Sequence, residues 1–181
     1  YSNYIRQKPL SEKEIFHFLF IGSINTWIKG LHLLLSAVRY LQDNGYPVHL
    51  DVYGDGKLKS EYKLLYKDYN RIIFQGWVNE PMKVLSNHEL LIVPSLSDAF
   101  PNVVLEALFM EIPVIGSNTG GIPEILYYPE LLFEPDKRNL AEKLRKIIEN
   151  DQLENLRQRC LKRKQALTFN WGEKLREIVS Q

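Results

Sequence analysis

Two short apolar runs, at 90–93 and 113–116, bracket a helix-like segment at 102–110. Neither run alternates apolar with polar residues, so each reads as a strand buried on both faces rather than one with a wet side. A strand, a helix and a second strand this close together point to a right-handed βαβ crossover, which requires a parallel sheet. The rest of the chain repeats that grammar. Residues 17–23 form an apolar run followed by a turn, and 49–53 a second, closed by Gly54-Asp55-Gly56. A third strand is expected at 72–74, ended by Gly76, and a short sixth at 132–133. Between them, 30–43 carries Leu31, Leu34, Leu35, Val38 and Leu41 at helical spacing. Helices are also expected at 58–69, 81–87, 139–150, 152–167 and 172–179. The expected fold class is α/β, a Rossmann-like parallel sheet with helices on both faces. Residues 1–13, polar and containing Pro9, read as a linker or tail, and 14–181 as one domain.

Composition removes several function classes. A net charge of +1 gives no reason to expect a nucleic-acid partner. The single cysteine, Cys160, allows no internal disulfide, and His17, His32, His49 and His88 are scattered without a metal-binding spacing. No metal is therefore expected. No apolar run approaches the roughly 20 residues that span a bilayer, and the start lacks the form of a leader. The sequence begins at Tyr1, and it is expected to be part of a longer protein.

Chemistry concentrates at 94–124, PSLSDAFPNVVLEALFMEIPVIGSNTGGIPE. Open α/β sheets bind ligands at the carboxyl ends of their strands, and a helix N-terminus suits a phosphate. Asn102 is a good cap residue, Pro101 fixes the approach, and the amides of Val103, Val104 and Leu105 are left to seek acceptors. Glu106 is a charge among Val103, Val104, Leu105, Ala107 and Leu108. It is either a solvent-facing residue or a carboxylate with a partner, and two vicinal hydroxyls would suit it. Asp98 is either a turn residue or a ligand acid. The Gly120-Gly121 turn is expected to let backbone approach a ligand closely.

The run D-x-F-P-N-V-x-x-E (98–106) followed by P-V-I-x-S-N-x-G-G-I-P-E (113–124) resembles the donor-site signature of retaining GT-B glycosyltransferases of family 4 (group 1). The resemblance implies that Glu106 grips the nucleotide ribose and Asp98 meets the donor sugar, with Phe100, Asn102 and Val103 supplying contacts between. Asp98 stands where the family has glutamate, one methylene shorter. F-I-G-S-I-N-T-W-I-K-G (20–30) resembles the family's first strand and phosphate loop, with Lys29 at the lysine of its basic pair and Ser23 where an arginine is usual. I-I-F-Q-G-W-V-N (72–79) resembles the segment beside the nucleobase, so Gly76, Trp77 and Val78 are implied there; Trp77 read by itself fits a core position equally well. Gly54 belongs to a turn like the family's I-x-G-x-G, and Gly120, Gly121 and Glu124 to its donor loop, where Glu124 either meets the ligand or caps a helix. GDGKLKS has neither P-loop spacing nor the third glycine of G-x-G-x-x-G. At the far end, 169–171 resembles the aromatic segment before the family's last helix.

The implied whole is the C-terminal, donor-binding domain of a glycosyltransferase, with Asp98 and Lys29 in catalytic roles and the N-terminal acceptor domain absent from this sequence. The implied substrate is a UDP- or GDP-linked sugar, used without a cofactor. The implied acceptor is a glycan or lipid-linked sugar in surface polysaccharide or glycolipid synthesis. The alternatives are a non-catalytic nucleotide-sugar binding domain and a GT-B-fold epimerase or phosphorylase. The expected location is cytoplasmic. The basic run Arg157, Arg159, Lys162, Arg163 and Lys164 reads as a solvated helix face, with peripheral contact to the inner face of a membrane as the lesser expectation.

Overall fold

The computed structural model describes residues 15–167. The expected tail at 1–13, the helix at 172–179 and the aromatic segment at 169–171 lie outside them. Within the described residues, strands β1 (Phe16–Ile21), β2 (Val48–Tyr53), β3 (Ile72–Gly76), β4 (Leu90–Val93), β5 (Val114–Ser117) and β6 (Leu132–Phe133) form one sheet. Its order is β3-β2-β1-β4-β5-β6, and every pairing is parallel. Helices α1 (Leu31–Asp43), α2 (Lys59–Leu65), α3 (Pro81–Leu85), α4 (Asn102–Phe109) and α5 (Ile122–Leu126) connect successive strands, and α6 (Lys137–Glu149) and α7 (Leu153–Leu167) follow β6.

The central strands β4 and β5 are buried along their whole length, and β1 and β2 through their middles. Phe18, Leu19, Leu50, Leu90, Leu91, Ile92, Val114 and Ile115 are all solvent-inaccessible, and such a core excludes polar alternation. Helix α1 contributes Leu31, Leu34, Leu35, Val38 and Leu41, the residues of the expected stripe, and α6 packs on it through Leu140, Leu144, Ile147 and Ile148. The N-terminus of α6 is capped by Asp136, whose Oδ1 accepts from the amides of Arg138 (2.8 Å) and Asn139 (3.0 Å). On α4's side, α3, α5 and α7 pack against it, and α7 also meets β5.

The differences from expectation are local. The helix expected over 58–69 spans only Lys59–Leu65, because at Tyr66 the backbone leaves helical geometry and the ring is buried instead. The stretch after Gly121 contains α5, started by Pro123 in its first turn, and a 3₁₀ turn at Pro129–Leu131. Three of the four histidines, His17, His49 and His88, meet in the fold. Asp51, 9% exposed, accepts from Gln75 (2.7 Å) and lies 3.0 Å from His88 Nε2 and 3.3 Å from His49 Nε2. The His17 ring stacks near His49 at 5.1 Å. Burial would raise the Asp51 pKa, but hydrogen bonds from Gln75, His88 and His49 outweigh it and hold the carboxyl below its ordinary value.

The basic run on α7 is a solvated face only in part: Arg157 and Lys162 are exposed, whereas Arg159, Arg163 and Lys164 are half-buried. Arg163 donates to the carbonyls of Ile125 (2.6 Å) and Glu124 (2.6 Å) at the end of α5, and its guanidinium covers the Tyr127 ring. Lys164 reaches Phe109 O (2.9 Å) and Glu111 (2.8 Å) beyond α4. Arg159 pairs with Glu130 (2.7 Å), and Arg157 donates to Glu111 O (3.3 Å). Arg163 and Lys164 thus meet carbonyls at the C-terminal ends of α5 and α4, where the dipole favours positive charge. Among the described residues no helix is long and apolar enough to cross a membrane.

Candidate functional site

The strand order reverses between β1 and β4, so the crevice at their carboxyl ends is the topological switch point of the sheet. Two loops enter it, 22–30 after β1 and 94–101 after β4. They are fastened to each other by backbone. The Leu96 amide donates to Ile28 O at 2.7 Å. Gly30 sits at φ +69° with Pro94 O only 1.8 Å from where a Cβ would lie, so no other residue fits.

This seam brings together the two residues assigned catalytic roles from sequence. Lys29 Nζ lies 2.6 Å from Asp98 Oδ2, across 69 positions of sequence. The Asp98 side chain is 13% exposed and that of Lys29 37%. Such a pair is shielded more than a surface ion pair yet open enough for a ligand to reach.

The Gly120-Gly121 turn closes the other side of Asp98. Gly121 N–H donates to Asp98 O (2.9 Å). The positions a Cβ would take on Gly120 and Gly121 lie 2.2 Å from Asp98 O and 1.9 Å from Ala99 O. The glycine pair therefore has an internal reason: it lets the loop after β5 lie directly on the backbone that carries Asp98.

Beyond Asp98, Phe100 is 61% exposed and Pro101 is buried. Pro101, not Asn102, occupies the cap position of α4, and no side chain caps the helix. The Val104 amide turns back to Pro101 O at 3.0 Å, whereas those of Asn102 and Val103 have no acceptor among the described residues. Asn102 is exposed and Val103 half-buried. The start of α4 thus presents open donors and the positive end of its dipole. One turn further in, Glu106 is half-buried and its carboxylate has no hydrogen-bond or ion-pair partner among the described residues. Its oxygens are not among the buried polar atoms left without a partner, so solvent or a ligand can reach them.

At the β2–β3 end, Gly54 N–H donates to Gly76 O (2.7 Å), which joins the two turns. Trp77 is 69% exposed and its indole N–H donates to Asn79 Oδ1 (2.8 Å), so it is not a core residue. Val78 beside it is half-buried. Ser23 Oγ accepts from Asn25 Nδ2 (3.1 Å). Trp27, next but one to Lys29, is 62% exposed at the same seam, and nothing in the sequence pattern marked it. Lys59 is a further cation at this edge, 3.0 Å from Asp55. A groove of about 540 Å³ between α1 and α6, with Arg39, Tyr40 and Arg138 in its wall, includes none of these residues. Among the described residues no cluster of His, Cys, Asp and Glu is arranged to hold a metal ion.

The family model described as "Glycosyl transferases group 1" matches residues 15–150. The capsular polysaccharide biosynthesis glycosyltransferase CapM of Staphylococcus aureus is 29% identical over 69% of this chain and 35% of its own length. The Escherichia coli UDP-Gal:alpha-D-GlcNAc-diphosphoundecaprenol alpha-1,3-galactosyltransferase is 29% identical over 65% of this chain and 32% of its own. The chain thus spans about a third of these relatives. In fold it matches the catalytic domain of the cholesterol-alpha-glucosyltransferase from Helicobacter pylori. That match has a TM-score of 0.73 and 22% identity, over 86% of this chain and all of the other.

Proposed function

The chain belongs to the group 1 glycosyltransferases, and from that premise we propose that it is the donor-binding domain of a retaining, family 4 enzyme of GT-B fold. The complete protein would move a sugar from a nucleotide-diphosphate sugar to an acceptor hydroxyl, in the synthesis of a surface polysaccharide or glycolipid. The observation that carries this reading is the convergence at the switch point: Lys29 and Asp98 2.6 Å apart, on a seam that runs into the open amides of α4.

The chemistry follows from those groups. Lys29 and the α4 amides face the diphosphate and stabilise the negative charge that grows on it as the glycosidic bond breaks. Asp98 accepts hydrogen bonds from the donor sugar, and Glu106 takes the ribose diol, a bidentate arrangement suited to a carboxylate. Trp77 and Val78 border the base, which an exposed indole face can cover. A UDP- or GDP-linked donor fits this set without a cofactor, and the use of such donors puts the work in the cytoplasm. The acceptor, a glycan or lipid-linked sugar, is held by the N-terminal domain, so this chain alone transfers little or nothing.

The test is to incubate the full-length protein with nucleotide sugars and an oligosaccharide acceptor, and to read the product's anomeric configuration by NMR. Retention is expected. An inverted product would overturn the family 4 assignment, and transfer by this chain alone at the full-length rate would overturn the two-domain reading.

A further inference from the structure

The residue assigned to the diphosphate and the residue assigned to the donor sugar are bonded to each other, at 2.6 Å. We propose that Lys29 and Asp98 form an exchangeable ion pair in which Asp98 competes with the diphosphate for the lysine, so that the site disfavours a bare nucleoside diphosphate relative to an intact nucleotide sugar. The inference rests on the donor-site reading and adds a linkage between its two halves.

The geometry leaves few ways around this competition. Lys29 hangs from a backbone held by the Ile28–Leu96 hydrogen bond (2.7 Å) and by Gly30 wedged on Pro94 O. Asp98 hangs from a backbone held by the amide of Gly121 at 2.9 Å. The two loops cannot part without breaking these contacts, so the pair opens by side-chain rotation alone. A diphosphate that takes Lys29 leaves Asp98 mostly buried, charged and without its cation, beside the ligand's own negative charge. An uncompensated, partly desolvated carboxylate is costly. The hydroxyls of a donor sugar relieve that cost by donating to Asp98, whereas a nucleoside diphosphate has no such group. After transfer, Asp98 recaptures Lys29 and helps expel the diphosphate product. Aspartate suits this exchange because its short side chain has little freedom to swing away from a fixed backbone.

The experiment is calorimetric titration of the full-length protein with UDP, GDP and ADP and with their glucose conjugates. Wild type is compared with Asp98→Asn, Asp98→Ala, Lys29→Gln and the Lys29→Gln/Asp98→Asn double variant. Removing the acid is expected to tighten diphosphate binding about five- to tenfold, the scale of a charge-assisted hydrogen bond less what solvent screening removes. The same change is expected to loosen the nucleotide sugar, and its effect on the diphosphate is expected to vanish in the Lys29→Gln background. Asp98→Ala serves as a check that the gain does not depend on the asparagine amide. Wild-type binding with diphosphate affinity unchanged or weakened in both Asp98 variants overturns the exchange and leaves the donor site standing. Failure of every variant to bind any nucleotide overturns the donor site and the exchange together.

Discussion

The backbone carbonyl of Asp98 lies 2.2 Å from the point where a Cβ on Gly120 would sit. Gly120 also has φ +56°, a left-handed conformation. Gly120→Ala therefore meets a steric and a conformational penalty at once. It is expected to cost about 1–3 kcal/mol of stability, the usual scale for strain at such a position. Because the displaced backbone carries Asp98, nucleotide-sugar affinity is expected to fall with it. Thermal denaturation and calorimetric titration of the same variant check both halves.

Glu106 separates binding from stability. Its carboxylate has no partner within the described residues, so Glu106→Gln is expected to leave the melting temperature unchanged or slightly raised. If it is the proposed ribose acceptor, Glu106→Ala is expected to cost about 1.5–3 kcal/mol in nucleotide affinity. A melting curve beside a titration distinguishes this from a structural role, which would lower both.

Asp51 contributes an acid-sensitive part of the fold's stability. Its folded pKa lies below the ordinary 3.8. A depressed carboxyl contributes stability that is present above the unfolded value and lost as pH falls through the folded one. The loss is therefore confined to the window below about pH 4. Asp51→Asn should be less stable at neutral pH and should show a flatter stability curve in that window. Denaturant unfolding at pH 3, 4 and 7 checks it.

Arg163 tests what the basic run on α7 is for. It spans the carbonyls of Glu124 and Ile125 at 2.6 Å each. Arg163→Ala is expected to lose about 1–3 kcal/mol of stability, since both acceptors lose a charged donor. Nucleotide affinity is expected to stay as it was. Co-sedimentation with anionic vesicles should also be unchanged, because the Arg163 guanidinium is already held by backbone carbonyls.

The sheet was readable from sequence because its central strands β4 and β5 are buried throughout and show as short apolar runs, and β1 and β2 keep buried apolar cores. The same holds for α1, where five apolar positions at helical spacing face the core. Asp98, Lys29 and Glu106 were legible through a family pattern, not through periodicity. What the sequence could not show depended on long-range contact. The Asp51 cluster draws on β2, β3 and the turn after α3, and no local spacing encodes it. Arg163 and Lys164 of α7 lie on a polar surface and so look solvated, since their acceptors include backbone carbonyls of α5 and α4, which have no sequence signature. The glycine pair at 120–121 signals close approach in any reading, and only the fold shows that the first thing it approaches is the Asp98–Ala99 backbone.

The central claim is that this carboxyl edge holds a nucleotide-sugar donor. The most direct measurement is titration of the protein with UDP, GDP and ADP, with and without Mg²⁺, for wild type and Glu106→Ala. Selective binding of one nucleotide, largely lost in Glu106→Ala and independent of Mg²⁺, is the expected result. Equal affinity in wild type and variant would contradict it.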